Sequence, residues 1–412
     1  MSVRRSNLTA IHRLAAARLV SVTGGDAAYI ALVALVYDRT GSSLWVSAAL
    51  LAMIGVAGLA APFAGMLGDR VDRRRVLIGS DLTAAVLFLA IAFVEEPWPL
   101  VVLAGLGAAA ESPFIPTSTA AVPNLVSDPA QLPRANSTIA MGKNLGMLCG
   151  PLLGGLLVAT VGAQAAFVGN AATFLVSAAL VASIRVPLQG RRDDAAEHGG
   201  ILAGFRFLAG DRVLRTIAIA WSIVLLGIGG VLVAEYPLSK EFGAGAVGYG
   251  LLTAAWGGGS LLGVALAPRS MRRHAELLCI TVGAFVMAVS IGAVAIAPVL
   301  AVAIALMLAG GVADGIAAVA EETLVQRRVP DAVRGRVVAA IEAAVLVSLA
   351  LSFGFAGFLL DAVGPRMTYL VAGVVFAIGA LIIGRLVLVQ RAEQVERAVD
   401  ADAGYAQGLS RR

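Results

Sequence analysis

The stretch Gly65-Met-Leu-Gly-Asp-Arg-Val-Asp-Arg-Arg-Arg-Val76 packs four arginines and two aspartates into twelve residues, and the chain on both sides of it is almost purely apolar. Three readings compete for it: a nucleic-acid patch, a solvated connection between two buried segments, or a working part of a mechanism. The remainder of the chain decides among them.

The sequence has 412 residues, of which 59% are hydrophobic and 14% charged. A water-soluble chain carries about 25% charged residues, so there are too few here to cover a soluble surface. Many of the apolar residues fall in runs long enough to cross a hydrocarbon core ~30 Å thick as helices. These features predict an all-α polytopic membrane protein.

Twelve spans are expected, near 14–37, 44–67, 76–94, 99–118, 137–160, 164–185, 213–236, 246–267, 276–297, 299–320, 337–360 and 366–389. Residues 1–186 form a first six-helix bundle, 187–212 a cytoplasmic connection with an amphipathic helix, 213–390 a second bundle, and 391–412 a cytoplasmic tail. With the N-terminus inside, 27 of the 31 Lys and Arg residues fall on cytoplasmic segments. Only Arg39, Lys240 and Arg366 fall outside, and Lys143 lies within a span. That bias is the positive-inside signature, and it accounts for the basic charge without nucleic acid. Cys149 and Cys279 both lie in spans and are expected as buried, reduced thiols.

In span 5, Gly146, Gly150 and Gly154 recur every four residues, a spacing that lets helix backbones approach closely. Pro151 removes one backbone hydrogen bond and favours a bend. A smooth, bent helix of this kind is expected at the contact between the halves, where it could rock.

These residues resemble a known family. Gly65, Asp69, Arg70, Arg73 and Arg74 resemble motif A of the major facilitator superfamily, with Asp72 where glycine is usual. Gly146, Gly150, Pro151, Gly154 and Gly155 resemble motif C, its antiporter signature. Val22-Thr-Gly-Gly-Asp26, Tyr37-Asp-Arg-Thr-Gly-Ser42 and Asn170-Ala-Ala-Thr-Phe174 look like its drug and siderophore exporter branch, which includes macrolide and enterobactin exporters. The resemblance implies the major facilitator fold, twelve helices in two six-helix halves, with span 1 lining a central cavity. It also implies that Asp69 meets the N-terminus of span 11, and that Arg70, Arg73 and Arg74 latch onto acids or carbonyls when the inner gate closes. The second half has Ala267 where Asp69 would align, so the latch is expected on one side only.

An ionisable residue inside a span costs roughly 2.5–3.5 kcal/mol on insertion scales and is a functional candidate by default. Asp26, halfway along span 1 after Gly24-Gly25, is the foremost candidate. It is read as a proton carrier or cation-binding carboxylate, or else a structural acid paired with an arginine or a backbone N–H. Glu111 and Lys143 sit at similar depth on consecutive spans and are expected to pair, either as a coupling element or as a static ion pair. Asp314 is a cavity candidate, and Glu235, near the outer end of span 7, either joins it or reaches water. Glu321 and Glu322 are expected as gate or cap residues, and Asp81 and Asp361 as solvated or capping residues near span ends.

No phosphate-binding loop, metal-ligand spacing or hydrolytic triad stands out, so neither an enzyme nor a cofactor is expected. The expected function is secondary transport: proton-coupled antiport that exports an amphipathic small molecule such as a drug, antibiotic or siderophore. The proton gradient would supply the energy, and the chain would work as a monomer in the cell membrane with both termini cytoplasmic. An importer or lipid transporter on the same fold is the nearest alternative, and a receptor or assembly protein the alternative of another class.

Overall fold

The computed structural model describes residues 2–126, 131–189, 202–273 and 275–410. These residues are helical almost throughout. The elements are α1 (Ser2–Thr40), α2 (Ser43–Arg70), α3 (Arg73–Ile91), α4 (Pro97–Glu111), α5 (Phe114–Leu125), α6 (Leu132–Thr160) and α7 (Ala163–Ala182). They continue as α8 (Leu202–Gly210), α9 (Arg212–Glu241), α10 (Gly245–Arg273), α11 (Glu276–Val294), α12 (Leu300–Arg328) and α13 (Asp331–Ser410).

Twelve crossings follow from these elements. Helix α13 is two crossings joined at Gly364, whose φ of 78° no ordinary residue adopts readily and which Pro365 follows. The fourth crossing was expected to be continuous but is divided into α4 and α5. Pro113 has no N–H to give, and the helix breaks at Ser112–Pro113, directly after Glu111. Helix α8 is the expected amphipathic segment ahead of the second half, and Asp211 caps the helix after it by accepting from the Val213 and Leu214 N–H groups.

Alternating crossings put both chain ends on one face, here the terminal face, and leave the other as the far face. The far-face turns are very short and use glycine. Every positive-φ glycine among the described residues (Gly41, Gly162, Gly243, Gly245 and Gly364) lies there. Such turns end one helix and begin the next within a few residues, because only glycine enters the left-handed region without a Cβ clash. Two hairpins at this face are pinned by arginine. Arg39 donates to the Val94 and Glu95 carbonyls at 2.7 and 2.9 Å, and Arg366 donates to those of Ala295 and Ala297 at 3.1 and 2.8 Å.

The two halves use the same packing plan. In the first, α1 packs on α6 and α7, α2 on α4, and α3 on α7. In the second, α9 packs on α13, α10 on α12, and α11 on α13. The halves meet along α6 with α10 and along α2 with α13. Large apolar side chains such as Phe93, Leu156, Val289, Phe355 and Leu388 point outward, as expected where the surrounding solvent is hydrocarbon.

Candidate functional site

Helix α1 turns Arg18, Asp26 and Tyr29 toward the middle of the first half. There they meet Asp81 of α3, Glu111 at the end of α4, and Lys143 of α6 around a cavity of ≈ 390 Å³. Apolar walls complete it: Met53, Phe88, Phe114, Met147 and Phe174. Cavities of about this size hold small organic ligands, with a few polar groups set in a greasy lining. Five ionisable side chains in one such space is far more charge than packing requires.

Asp26, Glu111 and Lys143, all singled out from sequence, are brought together here. The expected Glu111–Lys143 pair is not formed. Lys143 is the cation that bears on Asp26, and Arg18 is the cation that bears on Glu111. Helix α4 contacts α1 rather than packing on α6, which puts Glu111 near Arg18. Arg18 also lies over the Phe114 ring, 5.8 Å from its centroid.

Two members of the cavity escaped sequence reading. Asp81 was assigned to solvent or a cap, yet it is 1% exposed, and its Oδ2 has no hydrogen-bond partner. Arg18 was counted among the topology-setting arginines but is 8% exposed. Arg18 lies more than four turns and Asp81 about two turns inside its helix, and the helix starts, Ser2 and Arg73, are earlier than expected. That earlier start, invisible in hydropathy alone, is what carries both groups into the interior.

The glycine row of α6 positions Asp26. A Cβ at Gly150 would lie 2.6 Å from the Asp26 Cβ and 2.8 Å from the Thr23 carbonyl oxygen. Gly146 and Gly154 make equally close approaches to Val22 and Ala27. The row therefore faces α1 inside one half, not the contact between halves as expected. Gly155, which would meet Ala246, and the Pro151 carbonyl, which lies against Gly250, touch the second half, as do the Met147 carbonyl and Leu148 beside Gly257 and Gly258. Packing α6 this tightly on α1 leaves Asp26 no sideways freedom.

The opening stretch runs through the end of α2, a two-residue turn and the first turn of α3. Asp72 is the N-cap of α3 and accepts from the Arg75 N–H at 3.1 Å, an anion at the positive end of the helix. Arg73 donates to the Ala120 carbonyl at 2.7 Å and the Leu188 carbonyl at 3.3 Å, and Arg74 to the Val186 carbonyl at 3.0 Å. These carbonyls belong to α5 and to the segment that follows α7, not to the second six-helix bundle. Gly65, Asp69 and Arg70 lie in α2, and what surrounds them falls outside the described residues.

Asp314 and Glu235 do not join the cavity. Ser260 of α10 donates to Asp314 Oδ2 at 3.1 Å, across a seam where Gly311 and Gly315 let α12 approach the α10 backbone. Glu235 is fully enclosed and accepts from the Thr253 hydroxyl at 3.3 Å, so the expectation that it reaches water does not hold. Glu322, Glu342 and Asp361 are exposed. Cys149 is exposed rather than buried, and Cys279 is buried. Among the described residues no group of His, Cys, Asp and Glu is arranged to hold a metal ion.

The polar contacts between halves, among the described residues, lie at the far face. Asp38 at the end of α1 accepts from Lys240 at 2.7 Å and from the Tyr236 hydroxyl at 2.5 Å. Lys240 stands over the Tyr37 and Tyr236 rings, 5.7 Å from each centroid. Sequence reading missed this joint, because Asp38 and Lys240 are 202 residues apart and look like ordinary loop charges.

Comparison with known proteins agrees with this architecture. The family model described as Major Facilitator Superfamily matches residues 14–236 and 227–406. The multidrug efflux pump Tap of Mycolicibacterium fortuitum is 32% identical over 380 residues, covering 86% of this chain and 90% of that protein. A putative bacilysin exporter, BacE, of Bacillus amyloliquefaciens is 26% identical over 320 residues, covering 74% and 78%. Among solved structures, a bacterial homologue of the human lysosomal transporter Spinster superposes with a TM-score of 0.73 at 15% identity, covering 90% of this chain and 95% of that one. The nucleoside transporter NupG gives 0.73 at 12% identity, covering 93% and 99%. The chain belongs to the Major Facilitator Superfamily and is a transport protein rather than an enzyme.

Proposed function

We propose that this protein is a proton-coupled antiporter that exports amphipathic small molecules from the cell. The observation that carries the reading is the cavity in the first half, where Asp26, Asp81 and Glu111 share one greasy space with Arg18 and Lys143. Three acids facing two bases can exchange a proton for a cationic group at little electrostatic cost. The Met and Phe walls would take the apolar body of the substrate. The similarity to a multidrug efflux pump and to a putative bacilysin exporter supports export and this substrate class.

Coupling requires that proton and substrate favour different states of the same equilibrium, since a ligand shifts a population only by its differential affinity. Asp26 is placed for that role. It sits on the helix that packs along α6, the element that also meets the second half, and Lys143 of α6 bears on it. A proton on Asp26 would weaken its tie to Lys143 and release α6. The basic terminal face supports a cytoplasmic location for both termini, in the cell membrane, with the proton gradient as the sole energy source. The chain would act as a monomer, with Asp314 a secondary candidate at the seam of the second half.

The test is proteoliposome transport of a fluorescent lipophilic cation, such as ethidium, under an imposed pH gradient. Transport should accelerate with the gradient and lose that acceleration in Asp26→Asn. Movement down the substrate gradient alone, indifferent to pH, would remove the antiport reading.

A further inference from the structure

Around Glu235 the structure gathers groups that packing alone does not explain. The carboxyl belongs to α9 and is 2% exposed. Tyr29 reaches it from α1, Tyr249 from α10 and Tyr369 from α13, each close enough for electrostatic interaction with it. All three hydroxyls are buried; those of Tyr29 and Tyr249 lie close enough to interact with each other, and that of Tyr369 has no hydrogen-bond partner. Buried polar atoms are nearly always satisfied, so an unpartnered Tyr369 hydroxyl and an enclosed carboxyl with one long hydrogen bond, at a point where both halves meet, mark a site rather than a core. No Lys, Arg or His pairs with Glu235 among the described residues; the nearest cation of its own helix, Lys240, is engaged by Asp38. Among the described residues, the donor it meets is the Thr253 hydroxyl, at 3.3 Å.

The cluster belongs to both halves, Tyr29 from the first and the other three from the second. It lies directly beneath the far-face joint, since Tyr236 follows Glu235 in the chain and its ring stands 5.8 Å from that of Tyr249. Tyr29 also lines the Asp26 cavity, so the cluster borders that cavity from the far side. With Tyr249 and Tyr369 0% exposed, nothing the size of a hydrated ion enters unless the halves part.

We propose that Glu235 is a second proton-binding site, loaded when the far face is open and held closed by the proton it carries. A carboxylate sealed from water with no cation beside it is strongly disfavoured, and the group neutralises by taking a proton. Deprotonated, Glu235 needs water, and water reaches it only when α1 and α9 separate. Protonated, it fits among the tyrosines and lets Asp38 meet Lys240 and Tyr236 above it. The proposal rests on proton coupling for its use in transport, but the gate itself can be read without transport.

The experiment places spin labels at Trp98→Cys and Val299→Cys, two exposed far-face positions in opposite halves, in a background with Cys149→Ser and Cys279→Ala. Distances between labels are measured in lipid nanodiscs from pH 5.5 to 8.5. Acid should favour the short, closed distance, with the closed-to-open ratio changing by at most about tenfold per pH unit, the limit for one proton. Glu235→Gln should hold the short distance at every pH. A Glu235→Gln protein that follows pH like the parent overturns the proposal. If that variant does not fold, Tyr369→Phe serves instead, and an unchanged pH midpoint there overturns it equally. Failure of ΔpH-driven transport with a pH-responsive gate would sink the antiport reading and leave this one standing.

Discussion

Substituting Gly150 by alanine tests whether the α6 seam sets the position of Asp26. The added Cβ would lie 2.6 Å from Asp26 Cβ and 2.8 Å from the Thr23 carbonyl oxygen. Carbon atoms in contact prefer about 3.5–4.0 Å, so α1 must retreat by roughly 1 Å. Overpacking of this kind costs about 1–3 kcal/mol. Alanine in place of glycine inside a helix returns about 1 kcal/mol, leaving a net loss of ~0–2 kcal/mol. Gly79→Ala is the matched control, because nothing lies within 4 Å of its Cβ, and it should gain the helix term alone. The two variants should therefore differ by about 1–3 kcal/mol, a difference set by the clash alone. Thermal unfolding in detergent, followed by size-exclusion fluorescence, measures the stability difference. Ethidium transport under a pH gradient measures the displacement of Asp26, and Gly150→Ala should lose most gradient-driven acceleration while still reaching the membrane. Equal melting and equal transport in the two variants would refute the seam as the positioning element.

Three further outcomes are expected. Asp38→Asn removes a bridge whose partners are about half exposed, so stability should fall by no more than ~1 kcal/mol. The far-face label distance should nonetheless lengthen, and raising the salt should bring the parent toward the variant. Asp211→Ala deletes the cap of α9 and should cost about 0.5–2 kcal/mol in thermal unfolding. Burial alone would push the Asp211 carboxyl up, but hydrogen bonds from Leu214, Arg328 and Val213 outweigh it and hold the group below the ordinary carboxylate value. Its stabilisation is thus fully present above about pH 4 and lost as pH falls through the folded value, so parent and Asp211→Ala melting curves should converge only in acid. Arg18→Gln leaves Glu111 without the cation that bears on it and should alter the pH profile of transport, while Arg18→Lys restores it; an unchanged profile in the glutamine variant removes Arg18 from the cavity's electrostatics.

Periodic and compositional features were legible in the sequence. Twelve crossings, the amphipathic segment at α8 and the placement of Asp26 on a lining helix all follow from apolar runs and from the need to justify a carboxyl in hydrocarbon. Features set by three-dimensional pairing were not. Depth along neighbouring spans suggested a Glu111–Lys143 pair, but depth says nothing about azimuth, and it is Arg18 that bears on Glu111. The four-residue glycine spacing announced a close helix contact without naming its partner, which is α1. Asp81 and Arg18 were read as end groups because hydropathy blurs where a helix begins. Asp38 and Lys240 carried no local signal at all, since neither is unusual beside its own neighbours.

The two faces of the molecule divide the work unequally. At the terminal face, Arg73 and Arg74 are spent on carbonyls of their own half and brace it as a rigid body. At the far face, Arg39 and Arg366 brace one hairpin in each half, and among the described residues Lys240 and the Tyr236 hydroxyl reach across to Asp38. That bridge is half exposed and worth ~0–1 kcal/mol, less than a tenfold bias between states. A gate closed by it alone would leak. Other far-face contacts between halves, such as the close approach of Gly155 to Ala246 and of Gly357 to Ser43 and Leu44, join the helices without an ionisable group. The enclosed Glu235 cluster is different, because its contribution changes with a single proton. The ion-dependent part of far-face closure therefore resides beneath the visible salt bridge rather than in it, which is why Glu235→Gln is expected to move the gate further than Asp38→Asn.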